Sequence, residues 1–545
     1  MAKQVQVEGE RLPLLVGISF GTVYSSVSII SKDGKSGETI ANEDGDRQIP
    51  SYVAFTSHEE LCGTQAHLQA MTNPRSTIFH FRNILGKEFN DSEVQLQSKK
   101  HPFTIVKSEQ VATLPVYEVT LVNEDGEEKV EMHSVIEVTA KYLKKMKDTA
   151  EYFLGSKVDG CVISIPPHFE ESQKLDLLAA TKEAGFEVAY PVHEPIAAVL
   201  AFESVTDQLA LAQGDVAAPP CKKDKQIVVL DLGAHQFNVT VLSSHDGLYT
   251  IESSIDEADL GGISFNELLV EFVCQEFKRK TKIDIKDNRR AIQKLHKACE
   301  RAKRALTRQD TAPCSVESLY DGMDYSGNIN RGRFEMLAEP LYARCRETVA
   351  KALAEAGVVA ENVDEVLVVG GSSRMPRFQA VMRSLFLEST TFRADVEPDE
   401  AISVGCAVQA AIITNNANVD YSVLANTKEV LNADHLTKNI GIEVAGGVFA
   451  VVIPHGTPVP VSRSIALGLS ASGQTSAYLA VYEGQDEVAK KNSLLAEVVV
   501  SDLPESSGKN EKLSVEVTLT IEKDHSLHIT ASEKVSGQKI KVLVK

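Results

Sequence analysis

The sequence contains no run of eighteen apolar residues, no CxxC pair and no apolar core within its first residues, MAKQVQVEGERLP. The first absence predicts that no helix spans a bilayer. The third predicts no secretory leader of the usual kind. The eight cysteines are scattered through the chain, which argues against a zinc site or a disulfide framework and fits a reducing, cytoplasmic setting. Positive charge is also scarce. There are 56 Lys and Arg against 76 Asp and Glu, a net charge of −20. A surface that acidic is repelled by nucleic-acid phosphates and by anionic membranes. Contact with a ribosome or membrane is therefore expected to run through a partner or a local basic patch.

At 545 residues the chain is expected to hold two to four domains. Up to about residue 415, short apolar runs alternate with longer helical patterns. VDGCVISIPP (158–167), IVVLDLG (227–233) and VDEVLVVGG (363–371) read as strands buried on both faces. ESQKLDLLAATKEAG (171–185), the segment 288–306 and the segment 334–357 read as amphipathic helices. This is an α/β pattern. The polar, proline-containing stretch 212–225 reads as an exposed loop, and 415–439 reads as a linker. From Ile440 onward, short alternating runs separated by turns predict an antiparallel β-sandwich.

Three strand-then-glycine turns stand out: LLVGISFGTVYS (14–25), IVVLDLGAHQFNVTVL (227–242) and VLVVGGSSRMP (366–376). The first two share one form, a strand, a glycine-bearing tip and a returning strand. Backbone amides at such tips can cradle an anion. One such turn alone is an ordinary tight turn. Three in one α/β region suggest a duplicated fold that clamps a phosphate from two sides. LGG (260–262) adds a glycine turn ahead of a helix, whose N-terminus favours a phosphate. In KACERAKRAL (297–306), Glu300, Lys303 and Arg304 fall on one helical face, suited to a sugar hydroxyl and a flat base.

RQIPSYVAFT (47–56), HEPIAAVLAF (193–202), LGGISFNELLV (260–270), ACERAKRALT (298–307), VVGGSSRMPRFQ (368–379) and GIEVAGGVFAVVIPHGTPVP (441–460) together resemble the heat-shock protein 70 family. The resemblance covers about Leu12 to Lys545. It implies an actin-like nucleotide-binding domain of two lobes and four subdomains (12–414), the linker (415–439) and a short substrate-binding-type sandwich (440–545). It also implies ATP as cofactor, with magnesium left open. The matching ATP-binding positions are Gly21, Thr22, Val23, Tyr24, Gly233, Gly261, Gly262, Glu300, Lys303, Arg304, Gly370, Gly371, Ser372, Arg374 and Asp399. Glu194 and Pro166 match residues that relay nucleotide state.

The departures from the family pattern fall on the phosphate side. An aspartate of the first loop is Ser19, one of the second loop is Asn238, and the catalytic lysine is Arg82. Of three carboxylates expected near the metal, only Asp231 remains. A hard Mg²⁺ ion needs oxygen ligands, and phosphoryl transfer depends on positioned charge. These changes predict a protein that binds ATP without being an enzyme, with no catalytic residue and no metal ligand assigned. The chain also stops after QKIKVLVK, so no helical lid over the sandwich is expected.

These features resemble the atypical, lid-less branch of the family that forms the fungal ribosome-associated complex. That resemblance implies a stable heterodimer with a zuotin-like J-domain protein, which would carry the ribosomal RNA contact. It also implies stimulation of a separate, active heat-shock protein 70, and nascent chains as further partners. The sandwich groove is expected around Ala445, Gly446, Gly447 and Val448. The alternative kept is an active ATPase chaperone that binds extended peptides without a lid.

Overall fold

The structure, a computed structural model, describes residues 13–31, 37–109, 111, 113–122, 127–212, 225–245, 248–415, 438–444, 446–453, 461–468, 476–484, 486, 488–501, 514–521, 526–533 and 539–544. Almost all of the expected linker, the loop expected over 212–225, and Ala445 lie outside these residues. The chain divides into two compact units, Met1–Tyr421 and Ser422–Lys545.

The first unit repeats one strand pattern twice. In one sheet, Leu15–Ser19 pairs antiparallel with Tyr24–Ile30 and parallel with Gly160–Ile165, which in turn runs parallel to Val188–His193. In the other, Lys225–Leu232 pairs antiparallel with Phe237–His245 and parallel with Glu365–Val369, which runs parallel to Thr391–Arg393. The apolar runs form the central strands because these are covered on both faces. All of Gly160–Ile165 is buried. The expected helices form at Glu171–Glu183, Arg289–Ala305 and Arg331–Ala356. The last two start from asparagine caps whose side chains accept from backbone amides.

Two helices, Glu194–Ala212 and Ala401–Asn415, cross against the sheets at closest backbone range. A Cβ on Gly405 would sit 1.7 Å from the Ala197 carbonyl oxygen, and one on Gly17 would sit 2.2 Å from the Ala407 nitrogen. Glycine is required at both places because backbone meets backbone. Among the described residues no helix is long and apolar enough to cross a membrane.

The second unit is a sandwich of two four-stranded sheets. One contains Val448–Ile453, Asn439–Val444, Ala477–Gly484 and Ser493–Val500; the other contains Val461–Gly468, Ser514–Ile521, Leu527–Glu533 and Lys539–Val544. Alternate residues such as Ile442, Val481, Val517 and Ile529 fill its core.

Candidate nucleotide site

The first glycine turn is the tip between Leu15–Ser19 and Tyr24–Ile30. Gly21 carries no side chain because a Cβ there would fall 2.0 Å from the Tyr24 carbonyl oxygen. The Gly21 amide donates to Ser25 Oγ at 3.1 Å, and its carbonyl accepts from Ser51 Oγ at 2.8 Å. Thr22 Oγ1 donates to Asn83 Oδ1 at 3.0 Å, which ties the tip to the short helix that carries Arg82. The second turn joins Lys225–Leu232 to Phe237–His245. Its Gly233 and Ala234 carbonyls accept from the Gly262 and Ile263 amides at 3.0 and 2.8 Å. The N-terminus of the helix Gly262–Thr281 is thereby docked on the second turn.

Between the two turns lies a cavity of about 710 Å³, lined by Thr22, Arg82, Pro166, His168, His235 and Gln236 among others. Arg82 is buried and ion-paired with Glu194. Its guanidinium lies 5.9 Å from the Phe20 ring centroid and 5.6 Å from that of Phe169. A planar, weakly hydrated cation suits a slot between two aromatic rings better than an ammonium does. Arg82 Nε has no hydrogen-bond partner there.

Asp231, Asn238 and Asp256 form one row across three neighbouring strands. Asn238 is held within the sheet, donating to Ser254 Oγ at 3.2 Å and accepting from Thr240 Oγ1 at 2.7 Å. The two aspartates flank it. Burial and the Glu194 carboxylate push Asp231 up to about 7, against the opposing pull of Arg82. Burial and Glu194 also push Asp256 up to about 7. Asp256 Oδ1 has no hydrogen-bond partner. Nearby His168 is lowered to about 4 by burial and by the Arg82 charge.

Asp256 is the residue that the sequence reading missed. It precedes LGG on the strand Leu248–Glu257, outside every phosphate-loop pattern. Only the cross-strand register brings it beside Asn238, so the carboxylate absent from position 238 is matched by one on the adjoining strand. Among the described residues, no group of three or more His, Cys, Asp and Glu could hold a metal ion by itself.

The opposite wall carries the remaining candidates. Lys303 Nζ is buried; it donates to the Gly262 carbonyl at 2.6 Å and pairs with Glu300 at 2.6 Å. Burial alone would raise Glu300, but Lys303 and Arg304 hold it below the usual carboxylate range. Arg304 reaches across to the first turn, 3.3 Å from Tyr24 Oη and 5.5 Å from its ring centroid. Gly262 is tightly overlaid, since a Cβ there would lie 2.3 Å from Ser372 Oγ. The third turn places Gly370 at φ 83°, with its amide donating to the Pro398 carbonyl at 2.8 Å. Arg374 pairs with Glu397 at 2.5 Å and with Asp399. Gly371 faces Asp399, where an added Cβ would lie 3.7 Å away. Glu300, Lys303 and Arg304 thus share one helix with links to Tyr24 and Gly262, while Gly370, Gly371, Ser372, Arg374 and Asp399 gather around the third turn.

The Hsp70 protein family model matches residues 15–545. Heat shock cognate 70 kDa protein 3 of Dictyostelium discoideum is 33% identical over 533 residues, covering 97% of this chain and 80% of that protein. A ribosome-associated molecular chaperone of Saccharomyces cerevisiae is 34% identical over 529 residues, covering 97% and 81%. Heat shock 70 kDa protein of Neurospora crassa is 33% identical over 523 residues, covering 96% and 76%.

These matches overturn the expectation that the chain is not an enzyme. Nearly the whole length aligns with a family of chaperones whose nucleotide domain is an ATPase. The physical reason for the error lies in the charges counted at the phosphate side. Counting loop residues alone left one carboxylate, whereas the fold sets Asp231, Asp256, Glu194 and a cation at Arg82 together.

Proposed function

Because the chain belongs to the heat-shock protein 70 family, we propose that it is an ATP-binding chaperone ATPase that acts as a regulatory subunit at the ribosome. In this reading it pairs with a zuotin-like J-domain protein and stimulates a separate, active heat-shock protein 70 during co-translational folding. The nucleotide domain is taken as 12–414, the linker as 415–439 and the sandwich as 440–545. ATP lies with its adenosine between Glu300, Lys303, Arg304 and the turn Gly370–Arg374, and its phosphates toward Gly21, Thr22 and Gly233. A magnesium ion, if it enters with the nucleotide, would add charge neutralisation at the phosphates; Asp231 and Asp256 are the carboxylates suited to hold it.

One observation carries the reading: the two walls of the site differ. The adenosine wall carries residues that match the resemblance, Glu300, Lys303, Arg304 and Gly370 to Arg374, while the phosphate wall departs from it and sets Arg82 beside Phe20, Phe169 and Glu194. Such a site suits a subunit in which holding ATP matters more than cycling it quickly. The relatives named as ribosome-associated chaperones support the place of action. The sandwich then takes an extended, partly apolar segment of the J-domain partner by strand pairing.

The test is affinity capture of the full chain from a ribosome-containing lysate. Stoichiometric recovery of one J-domain protein, with ribosomes lost when that partner is deleted, is the expected result. Recovery of many unrelated peptides and no J-domain protein would instead favour a general peptide-binding chaperone.

A further inference from the structure

We propose that the outward face of the helix Arg289–Ala305, together with the pocket at its start, is a binding site for single-stranded RNA. The chain is acidic overall, yet residues 278–308 hold thirteen Lys and Arg against three Asp and Glu. The fold turns this run into a stripe. Ala291, Leu295, Ala298 and Ala302 face the core. Arg290, Lys294, Lys297 and Arg301 repeat at the same spacing on an adjoining face. The stripe is about 16 Å long, at 1.5 Å per residue. Its C-terminal end adjoins Glu300 and Arg304, which are three residues beyond Lys297 and Arg301, while Lys303 is buried on another face.

Two observations separate it from an ordinary solvated face. Arg290, Lys297 and Arg301 are exposed and form no ion pair among the described residues. Some neighbouring cations do find acids: Lys278 pairs with Asp284, Lys286 with Glu271 and Arg304 with Glu300. The stripe also runs into a concavity of about 580 Å³ lined by Asn288, Arg290, Lys294, Leu319, Tyr320 and Asp321, among others. Lys294 Nζ closes its floor by donating to the Ser318 carbonyl at 2.5 Å. Ser318 and Asp321 have φ of 45° and 46°, and Gly322 follows at 74°, so the hairpin tip is a tight left-handed turn closed by the Tyr320–Met323 pair.

Cations at one-turn intervals match successive phosphates of a single strand. A pocket with a guanidinium, an aromatic ring and an amide suits one unstacked base. A membrane surface fits less well, because no large exposed apolar side chain lies on this helix. This inference rests on the proposed ribosomal setting, to which it adds a direct contact by this chain.

The test uses the full-length chain without its partner and a short, fluorescently labelled single-stranded oligoribonucleotide. Binding should weaken as salt rises. The variant Arg290→Glu, Lys297→Glu, Arg301→Glu should lose more than about tenfold in affinity, with the salt slope falling by roughly 0.7 per lost phosphate contact. ATP binding by the variant, read separately, shows that its fold is intact. Lys144→Glu with Lys157→Glu, elsewhere on the surface, should leave RNA affinity unchanged. No RNA binding by the parent chain, or equal loss in both variants, would overturn the inference. So would equal or tighter binding of polyglutamate or phosphatidylserine vesicles to the same residues. Ribosome recovery through the J-domain partner could survive any of these failures, which keeps the two readings distinguishable.

Discussion

Arg82 concentrates the chemistry of the site. Its ion pair with Glu194 and its position between two rings hold the charge away from free rotation. Replacing Arg82 with Lys should give a shorter, mobile ammonium and raise single-turnover ATP hydrolysis by roughly tenfold, a change of about 1.4 kcal/mol in barrier. The same change should lower stability by about 1 kcal/mol through the lost ring contacts, measurable by urea denaturation. Lys303→Ala removes a charged donor and leaves the half-buried Glu300 with Arg304 as its cationic partner. ATP affinity should fall by roughly tenfold to a hundredfold, the scale of a charge-assisted hydrogen bond, read by calorimetry. Asp231 and Asp256 add a pH dependence. Both are raised to about 7, so the folded, nucleotide-free protein binds protons that the unfolded chain has released. Their contribution is fully present below the ordinary carboxylate pKa and is lost as pH rises through about 7. The apo protein should therefore melt higher at mildly acidic than at mildly alkaline pH, and Asp256→Asn should flatten that difference.

Among elements, the strands and helices around the site were legible because their signals are local. Continuous apolar runs gave Gly160–Ile165 and Glu365–Val369, and helical spacing gave Arg289–Ala305. The glycine turns were legible for the same reason. Cross-strand register was not, and register is what sets Asp256 beside Asn238 and Asp231. The segment 288–306 was legible as an amphipathic helix, but its basic face and the pocket at its start depend on how that helix packs and on the Ser318–Gly322 hairpin tip beside it. The crossing of Glu194–Ala212 with Ala401–Asn415 also emerges only in three dimensions. Gly405→Ala drives a Cβ into the Ala197 carbonyl. It should destabilise the nucleotide domain by about 1–3 kcal/mol as an overpacked backbone contact. A lowered melting temperature, with the sandwich transition unchanged, is the expected reading.

At the scale of the whole molecule, the two compact units should respond separately to ligand. ATP at about a hundredfold excess over its Kd should stabilise the nucleotide unit by about 2.7 kcal/mol and leave the sandwich transition in place. Removing residues 436–545 should preserve ATP binding and abolish tight binding of the J-domain partner. Domain texture was readable along the chain, since α/β alternation gives way to short strands after residue 440. The enzyme assignment was not, because it depends on how many charges the fold gathers from distant segments. The most direct measurement of the central claim loads the full-length chain with one equivalent of ATP and follows the bound nucleotide over time, in parallel with Arg82→Lys. The account predicts that ATP stays bound, converts to ADP slowly, and converts faster in the variant. Failure to retain ATP, or a conversion rate that Arg82→Lys leaves unchanged or lowers, would contradict it.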